Sequence, residues 1–419
     1  MPGHKGELGY ERDVTEISGA DSLYSASGII RESERLTGEL FGAETYFSAE
    51  GSSLSIRAML YLASLYAKAS GRKNKILVQR NAHRSFFSAA ALIDFEVEFF
   101  GFGDNYLSSD ASAEELATLL DSLDELPAAV YLTSPDYLGK MQDIRAISEV
   151  CRERGILTLV DNAHGAYLAF LEKSLHPIAL GADMCADSAH KTLPALTGAA
   201  YLHISRNAPR LLSESAKAAM ALFGSTSPSY IILESLDRLN EILCKGFKDK
   251  LASAARLVSD TKSRLLEVGY ETIDGEPMKI TLNAKKYGYT GTELGKILEE
   301  NNIFPEFYDA DYLVLMPSAL TEAKALDRLF ETLKAVEKKA AKERFPKRLA
   351  PPKRAMSIRE ATLAPKETVS ALGALGRVLA DCSVSCPPAV PILVPGEVVD
   401  EVAIEAFGYY GYDEITVVK

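Results

Sequence analysis

The alternation of short apolar runs with helical patterns constrains the fold of this chain more than any other feature. Four strand-like runs occur between residues 75 and 160, namely KILVQ, FEVEFF, AVYLT and ILTLV. Three stretches with helical spacing separate them, at 85–93, 113–123 and 143–155. This order predicts an α/β fold with a mostly parallel sheet and helices on both faces. Such sheets bind ligands beyond the carboxyl ends of their strands.

The pattern changes after about residue 245. Helical spacing returns at 249–268, 292–301 and 321–340, and the strand-like runs MKITLN and YLVLMP lie between these stretches. A basic, proline-containing stretch at 338–354 then interrupts the periodicity. We interpret it as a solvated linker, although it could also bind an acidic partner. We therefore expect an N-terminal large domain at 1–245, a small α/β domain at 246–345 and a C-terminal domain at 346–419.

Composition excludes several classes of function. The net charge of −12 over 419 residues argues against nucleic acid as a partner and suits a cationic substrate. The chain contains neither a run of eighteen apolar residues nor a signal-type N-terminus, so we expect no membrane partner and a cytoplasmic location. The five cysteines suggest reduced thiols. Cys382 and Cys386 form a CxxxC without a second ligand pair nearby, so no metal site is expected.

Polar residues follow several of the predicted strands. Asp161 ends ILTLV and His164 comes three residues later, His83 lies four residues beyond KILVQ, and Lys191 follows the run DMCAD. Each residue could be structural, as a hydrogen-bonded histidine, a turn cap or a solvated lysine. Since strand ends of one sheet share an edge, these side chains can also meet in one cleft. A lysine in a dry cleft has a lowered pKa and attacks aldehydes.

The sequence GSS at 51–53 adds a possible anion site. Gly51, Ser52 and Ser53 stand at the predicted start of a helix, where free N–H groups and the helix dipole favour a phosphate. An ordinary serine N-cap is the alternative. Nucleotide motifs are weaker, because the chain has no GxxxxGK[ST] and GFGDNY at 101–106 lacks the third glycine of a dinucleotide fingerprint. We call this predicted helix start the phosphate cup. Together with an aspartate, a histidine and a lysine, it is what a pyridoxal phosphate (PLP) site requires.

These residues lie within an ordered set of motifs that spans nearly the whole chain. The set comprises PGHKG (2–6), GSS (51–53), NAHRS (81–85), TSPDYLG (133–139), DNAHGAY (161–167), SAHKTLPALTG (188–198), STSPSY (225–230) and PPAVPILVPGE (387–397). It resembles the fold-type-I ornithine/lysine/arginine decarboxylases. The resemblance implies a PLP enzyme with the aspartate-aminotransferase fold and the additional C-terminal domain of that family.

The resemblance also implies roles for individual residues. Lys191 would form a Schiff base with PLP, His83 would stack on its ring, and Asp161 would pair with its pyridinium nitrogen. The remaining expected cofactor-binding residues are Ser52, Ser53, His164, Ser188 and His190, together with Ser225, Thr226 and Ser227. In the family this last loop reaches the phosphate of the neighbouring subunit. We therefore expect a homodimer or higher homo-oligomer with shared active sites.

The implied reaction is decarboxylation of arginine, lysine or ornithine to the corresponding amine. An aminotransferase, aldolase or lyase on the same scaffold, or a catalytically silent homologue, remains the alternative. The sequence departs from the family at Glu50, Ser52, Asp136 and Tyr167, where Asn, Thr, Thr and His are common. It also begins close to PGHKG and has no receiver-like wing domain, so large decamers built through that wing are not expected.

The substrate's distal cation should meet an acidic side chain, since a buried cation needs a partner. Three candidates are Glu397, Glu306 and Asp136, each of which could equally be an ordinary surface carboxylate.

Overall fold

The computed structural model describes residues 2–102, 106–109, 111–343, 352–386 and 390–419, and for Cys386 the backbone only. Parts of three sequence features therefore lie outside the described residues: GFGDNY at 103–105, the basic stretch at 344–351, and PPAVPILVPGE at 387–389. The CxxxC pair also lies partly outside them, because the Cys386 side chain is not described.

Strands and helices alternate along the first half of the chain, as predicted. The strands are β1 Ala43–Ser48, β2 Lys75–Gln79, β3 Glu96–Phe100, β4 Ala129–Thr133, β5 Leu157–Asp161, β6 Met184–Asp187, β7 Ala200–Ser205, β8 Ile280–Asn283, β9 Phe307–Tyr308, β10 Tyr312–Leu315, β11 Lys366–Ser370, β12 Ser385–Cys386, β13 Val390–Pro391 and β14 Glu414–Val418.

The helices are α1 Ile29–Phe41, α2 Gly51–Ser70, α3 Arg84–Ile93, α4 Ala113–Asp121, α5 Ile144–Glu153, α6 Pro177–Leu180, α7 Ala189–Thr192, α8 Arg210–Phe223, α9 Tyr230–Cys244, α10 Phe247–Glu267, α11 Gly291–Glu300, α12 Ala323–Lys334, α13 Ile358–Leu363 and α14 Glu401–Tyr410. Short 3₁₀ helices occur at Leu23–Ser25, Ala166–Phe170, Ala284–Tyr287 and Leu372–Ala374. Within the described residues, no helix has both the length and the apolar character needed to cross a bilayer.

The main sheet has seven strands in the order β1-β7-β6-β5-β4-β2-β3. Strands β4, β5 and β6 are parallel, whereas β7 runs antiparallel to both β6 and β1. In this register Asp161 pairs with Thr133 of β4 and with Ala186 of β6. The carboxyl ends of these three strands therefore share one edge. The predicted α/β class with a mostly parallel sheet is confirmed.

The chain divides into two compact units. Unit one comprises residues up to 77, 112–134 and 143–249. Its helix α2 is buried along much of its length, with nine buried positions among twenty residues, and it packs against α8 and strands β1, β6 and β7. A helix this apolar is stabilised by tertiary packing on several sides rather than by a single amphipathic face. Its N-terminus is therefore held rigidly.

Unit two comprises 78–111, 135–142 and 250–419. It contains a three-stranded antiparallel sheet in the order β8-β10-β9 and the antiparallel pair β11–β14. Apolar side chains of β10, α14, β14 and the 390–399 segment share one core cluster. The three-domain division at 245 and 345 stays a prediction.

One helix is shorter than its periodicity predicts. Helical spacing extends to residue 340, but α12 ends at Lys334 and Val336 lies beyond it. The carbonyls of Val336 and Glu337 accept hydrogen bonds from the hydroxyls of Tyr287 and Tyr289. These tertiary hydrogen bonds replace the next helical turn, because carbonyls at a helix end have no partner within the helix. The predicted end at 340 was wrong.

Candidate active site

Lys191 lies in α7, the short helix that begins two residues after β6 ends. Its Nζ is 2.8 Å from Nε2 of His164, which is buried and follows β5. A neutral imidazole nitrogen can accept a proton from an ammonium group at this distance. The structure therefore brings together two side chains that the sequence placed at neighbouring strand ends, and it places an imidazole nitrogen within hydrogen-bonding distance of the Lys191 amine.

Asp161 is the last residue of β5 and is only 3% exposed. Its Oδ1 accepts from the Ala163 backbone N–H at 3.2 Å, and its Oδ2 accepts from the Tyr131 hydroxyl at 3.3 Å. Burial raises the pKa of Asp161 to about 6, while the positive charge of Lys191 acts in the opposite direction. A buried carboxylate is stabilised by a cationic partner, and a protonated ring nitrogen would be such a partner. The turn bond to Ala163 shows that Asp161 also has the structural role considered as its alternative.

The phosphate cup predicted at GSS is the N-terminus of α2. The helix begins at Gly51, and its N-cap is Glu50, which forms no side-chain capping bond. Ser52 is inside the helix, so the serine N-cap interpretation is wrong for this residue. The Ser188 hydroxyl donates to Ser52 Oγ at 2.8 Å, which joins the start of α2 to the start of α7. Gly51 has a φ of +72° and open space where a Cβ would stand, and its own N–H donates to the Gly198 carbonyl at 2.8 Å. The N–H groups that follow it in the first turn have no partner within the helix and are the ones that can bind an anion.

Two further predicted phosphate ligands flank this cup. Ser53 lies in the same first turn of α2 and is half-buried. His190, beside Lys191, has its Nδ1 3.0 Å from the Ala199 carbonyl. Since a carbonyl can only accept, Nδ1 carries a proton and the neutral ring keeps Nε2 as an acceptor. A protonated ring would offer Nε2 as a donor to a phosphate.

The loop of Ser225, Thr226 and Ser227 contacts the residue before the cup. The Ser225 N–H donates to Glu50 Oε1 at 2.7 Å, and the Ser227 N–H donates to Ser225 Oγ at 3.1 Å. All three residues are exposed. Helix α9 begins at Tyr230 with Ser229 as its N-cap, so none of the three loop residues caps this helix. The loop therefore presents its hydroxyls outward, next to the cup of its own chain.

His83 belongs to unit two and is the N-cap of α3. Its Nδ1 accepts from the Ser85 N–H at 3.1 Å and lies 2.7 Å from Ser85 Oγ. The ring is 6.4 Å from the ring of Tyr137, at a tilt of 35°. These contacts fix the orientation of the imidazole and give it a structural role. Stacking on a cofactor ring stays a prediction.

The side chains of unit one fit PLP. They supply an amine beside a base, a buried carboxylate at a strand end, and an anion site at the start of a twenty-residue helix. The hydroxyl of Thr192, next to Lys191, is buried without a hydrogen-bond partner among the described residues, which leaves a donor for a bound molecule.

Sequence reasoning missed Tyr131 and the polar cluster of His176, Asp187 and His203 behind this site. Tyr131 could have been identified as a candidate because its hydroxyl is a polar group within the otherwise apolar run AVYLT. The cluster residues are eleven and sixteen positions apart and match no motif considered above.

Comparisons with known proteins agree with this geometry. A sequence model described as "Orn/Lys/Arg decarboxylase, major domain" matches residues 4–268. The uncharacterized protein YaaO of Bacillus subtilis is 30% identical, with 94% of this chain and 84% of that protein covered. An arginine decarboxylase of Halalkalibacterium halodurans is 29% identical, with 96% and 87% covered.

Among solved structures, the lysine decarboxylase LdcF of Francisella novicida aligns with a TM-score of 0.77 at 17% identity, covering 99% of this chain and 76% of that one. Lysine decarboxylase A of Pseudomonas aeruginosa aligns with a TM-score of 0.78 at 18% identity, covering 98% and 73%. At such identities the structures show the shared fold, while the family model covers more than half of the chain. The chain therefore belongs to the ornithine/lysine/arginine decarboxylase family of PLP-dependent amino acid decarboxylases.

Proposed function

We propose that this chain decarboxylates a basic amino acid, with arginine as the first candidate, and that Lys191, His164 and Asp161 are the central residues of its site. The observation that carries the proposal is the 2.8 Å contact between Lys191 Nζ and His164 Nε2, at the sheet edge where the buried Asp161 ends β5. A nucleophilic amine, a base and a carboxylate are what PLP-dependent decarboxylation requires.

In this proposal, individual residues of the chain have the following roles. PLP, when bound, supplies an electron sink for the electron pair left by the departing carboxylate. His164 takes a proton from Lys191 and so leaves the amine neutral and nucleophilic. Asp161 would hold positive charge on the ring nitrogen of PLP, an interaction that the low polarity of its buried position would strengthen. Ser52, Ser53, Ser188 and His190 would hold the phosphate of PLP, and by the family resemblance His83 would stack on its ring.

Arginine is favoured by the sequence relatives. Arginine decarboxylases of Halalkalibacterium halodurans and Bacillus subtilis are 29% and 28% identical over 96% of this chain. The lysine decarboxylases found among solved structures are 17–18% identical, which supports the fold rather than the substrate. The net charge of −12 suits any of the cationic substrates and does not separate them.

Two of the three carboxylates suggested for the distal cation already have partners in unit two. Glu397 is 1% exposed, lies 3.2 Å from Arg80 and accepts from the Val394 N–H at 2.7 Å. Asp136 is buried, and it accepts from the Ser108 hydroxyl at 2.6 Å and from the Leu138 and Lys140 N–H groups. Glu306 is exposed and so remains the candidate of the three.

The test is product analysis with the purified, PLP-loaded enzyme. Arginine, lysine and ornithine are offered singly, and the amine formed is identified by mass spectrometry beside CO₂ release. We expect the decarboxylation product of arginine at the highest kcat/KM. A keto acid instead of an amine would indicate an aminotransferase, and cleavage without CO₂ would indicate an aldolase or another lyase. The absence of any product from all three substrates, with PLP bound, would contradict the proposal.

A further inference from the structure

Behind the candidate active site, three fully buried polar side chains of unit one converge on one point. His176 precedes α6, Asp187 ends β6, and His203 lies in β7. They are 1%, 0% and 0% exposed, and one ligand-type atom from each lies within 4.8 Å of the other two. The chemistry proposed above does not use them.

Two of the three separations between these atoms lie close to the edge length of a metal coordination shell, and the third is at most 4.8 Å. Asp187 Oδ2 is 3.0 Å from His176 Nε2 and 3.4 Å from His203 Nε2. Zinc–nitrogen and zinc–oxygen bonds of about 2.0–2.2 Å in a tetrahedron place neighbouring ligand atoms about 3.3–3.5 Å apart. An ion between these three atoms would therefore need only small side-chain movements.

His203 gives an independent indication of a missing ligand. Its Nδ1 contacts the Thr45 hydroxyl at 2.8 Å, which orients the ring. Its Nε2 is buried and has no hydrogen-bond partner among the described residues, although it points toward Asp187 Oδ2 at 3.4 Å. A metal-ligating histidine usually donates a hydrogen bond from its other ring nitrogen to an outer-shell group, and the Thr45 hydroxyl can be that group for His203.

The carboxylate of the cluster is also anchored from outside. Asn162, the residue after Asp161, donates to Asp187 Oδ1 at 2.7 Å, which leaves Oδ2 facing the two histidines. The Cys185 sulfur lies 3.8 Å from His176 Nε2 and 3.8 Å from Asp187 Oδ1, so it is positioned to become a fourth ligand with loss of its proton. Imidazole and thiol ligands favour zinc over magnesium or calcium.

We propose that His176, Asp187 and His203 bind a structural Zn²⁺ ion, with Cys185 beside it, that fastens β6 and β7 beneath the site of Lys191. An ion here would neutralise a carboxylate that is otherwise buried without solvent. It would also bind the Nε2 of His203, which forms no hydrogen bond among the described residues. The alternative is a metal-free network in which His176 donates to Asp187 and His203 remains unsatisfied.

The test is the zinc content of the untagged, full-length protein after expression in zinc-supplemented medium, measured by elemental mass spectrometry. We expect about one zinc per chain in the wild type and less than about a tenth of that in Asp187→Asn and in His203→Gln. Surface histidines can also capture metal, so His4→Gln is the matched control. His4 forms a pair with Asp13 at the same 3.0 Å separation, but in a partly exposed position, and this variant should keep its zinc.

A second measurement covers variants that fail to fold. Wild-type protein is prepared with a strong zinc chelator, and its thermal unfolding is followed as Zn²⁺ is added. A ligand that binds only the folded state should raise the unfolding temperature by several degrees, and Mg²⁺ should not. Folded wild-type protein without zinc and without a shift on Zn²⁺ addition would overturn the proposal, as would zinc retained in both folded variants. Neither result depends on decarboxylase activity.

Discussion

Lys191 offers the amine that contacts His164, and its removal tests the proposed chemistry most directly. Lys191→Ala should abolish the visible absorbance of the lysine-bound cofactor and lower decarboxylation by several orders of magnitude, because the covalent step has no other nucleophile. The half-buried position suggests little loss of stability. Absorbance spectra, turnover and circular dichroism check this. Lys245→Ala, at an exposed helix end, is the control and should behave as wild type. Retained turnover in pure Lys191→Ala would contradict the assignment.

Substitution of Asp161 should lower the rate of decarboxylation more than the affinity for PLP. Asp161→Asn keeps the shape of the side chain but removes the charge that would hold the ring nitrogen protonated. We expect kcat to fall by about 10²–10³-fold and cofactor affinity to fall much less, as for other buried electrostatic groups. Steady-state kinetics and a PLP titration separate the two effects. Equal losses in both would indicate that Asp161 is structural.

The same residue should destabilise the cofactor-free protein at neutral pH. The folded-state pKa of Asp161 is raised by burial to about 6, above its ordinary value of 3.8. Because the pKa of Asp161 is higher in the folded than in the unfolded protein, the protonated carboxyl favours folding. This contribution to stability is fully present below pH 4 and is lost as the pH rises through 6. Without PLP, Asp161→Asn should therefore be more stable than wild type at pH 7.5, by about 1–3 kcal/mol, and the difference should shrink toward pH 4.

Urea unfolding of the cofactor-free proteins at pH 4.5 and 7.5 measures this difference. The exposed Asp124→Asn variant should show no such gain at either pH. A wild-type protein that is the more stable at pH 7.5 would show that burial of this carboxylate is fully compensated in the absence of PLP.

Some residues could be predicted from the sequence because their position in the chain determines their position in the fold. Asp161 and Lys191 follow apolar runs, and strand ends of one sheet share an edge. The cluster of His176, Asp187 and His203 could not be predicted in this way. His203 reaches it through the antiparallel pairing of β7 with β6, and a sequence does not fix which strands become neighbours.

At the scale of elements, the start of α2 should contribute much of the cofactor affinity. Ser52→Ala removes a hydroxyl from the cup and the hydrogen bond to Ser188. A hydrogen bond to a charged group contributes about 1.5–3 kcal/mol, so PLP affinity should fall by about 10–100-fold. The matched control is Ser64→Ala, about 18 Å farther along the same helix, which should leave affinity unchanged. Equal effects in both variants would attribute the change to α2 stability.

Periodicity predicted most elements well, since each repeated pattern reports which face of an element is buried. KILVQ and AVYLT coincide with β2 and β4. The end of α12 was misjudged because its last predicted turn depends on Tyr287 and Tyr289, nearly fifty residues earlier in the chain. Local spacing carries no information about such partners.

At the scale of the molecule, the chain crosses between its two units four times, at about 77, 111, 134 and 142, before it enters unit two for good near 249. The sequence predicted domains as consecutive segments, because composition and periodicity change only near 245 and again at 338–354. Short excursions such as 135–142 carry no change in composition that would reveal them. The assembly of whole subunits is even harder to predict from composition. It is best tested by measuring the activity of mixed subunits.

The remaining prediction is that active sites are shared between subunits. The exposed hydroxyls of Ser225, Thr226 and Ser227 lie on a loop that Glu50 anchors beside the cup through the Ser225 N–H. Only the backbone of Ser225 is used in that contact, and its Oγ accepts from the Ser227 N–H within the loop but can still donate its own proton to a neighbouring subunit. We expect Lys191→Ala chains and Ser225/Thr226/Ser227 triple-alanine chains to be inactive as homodimers. A verified heterodimer should regain about half of the wild-type activity, because one of its two sites combines an intact lysine with an intact loop. If the loop acted within its own chain, every site of the heterodimer would carry one defect, and no activity would return.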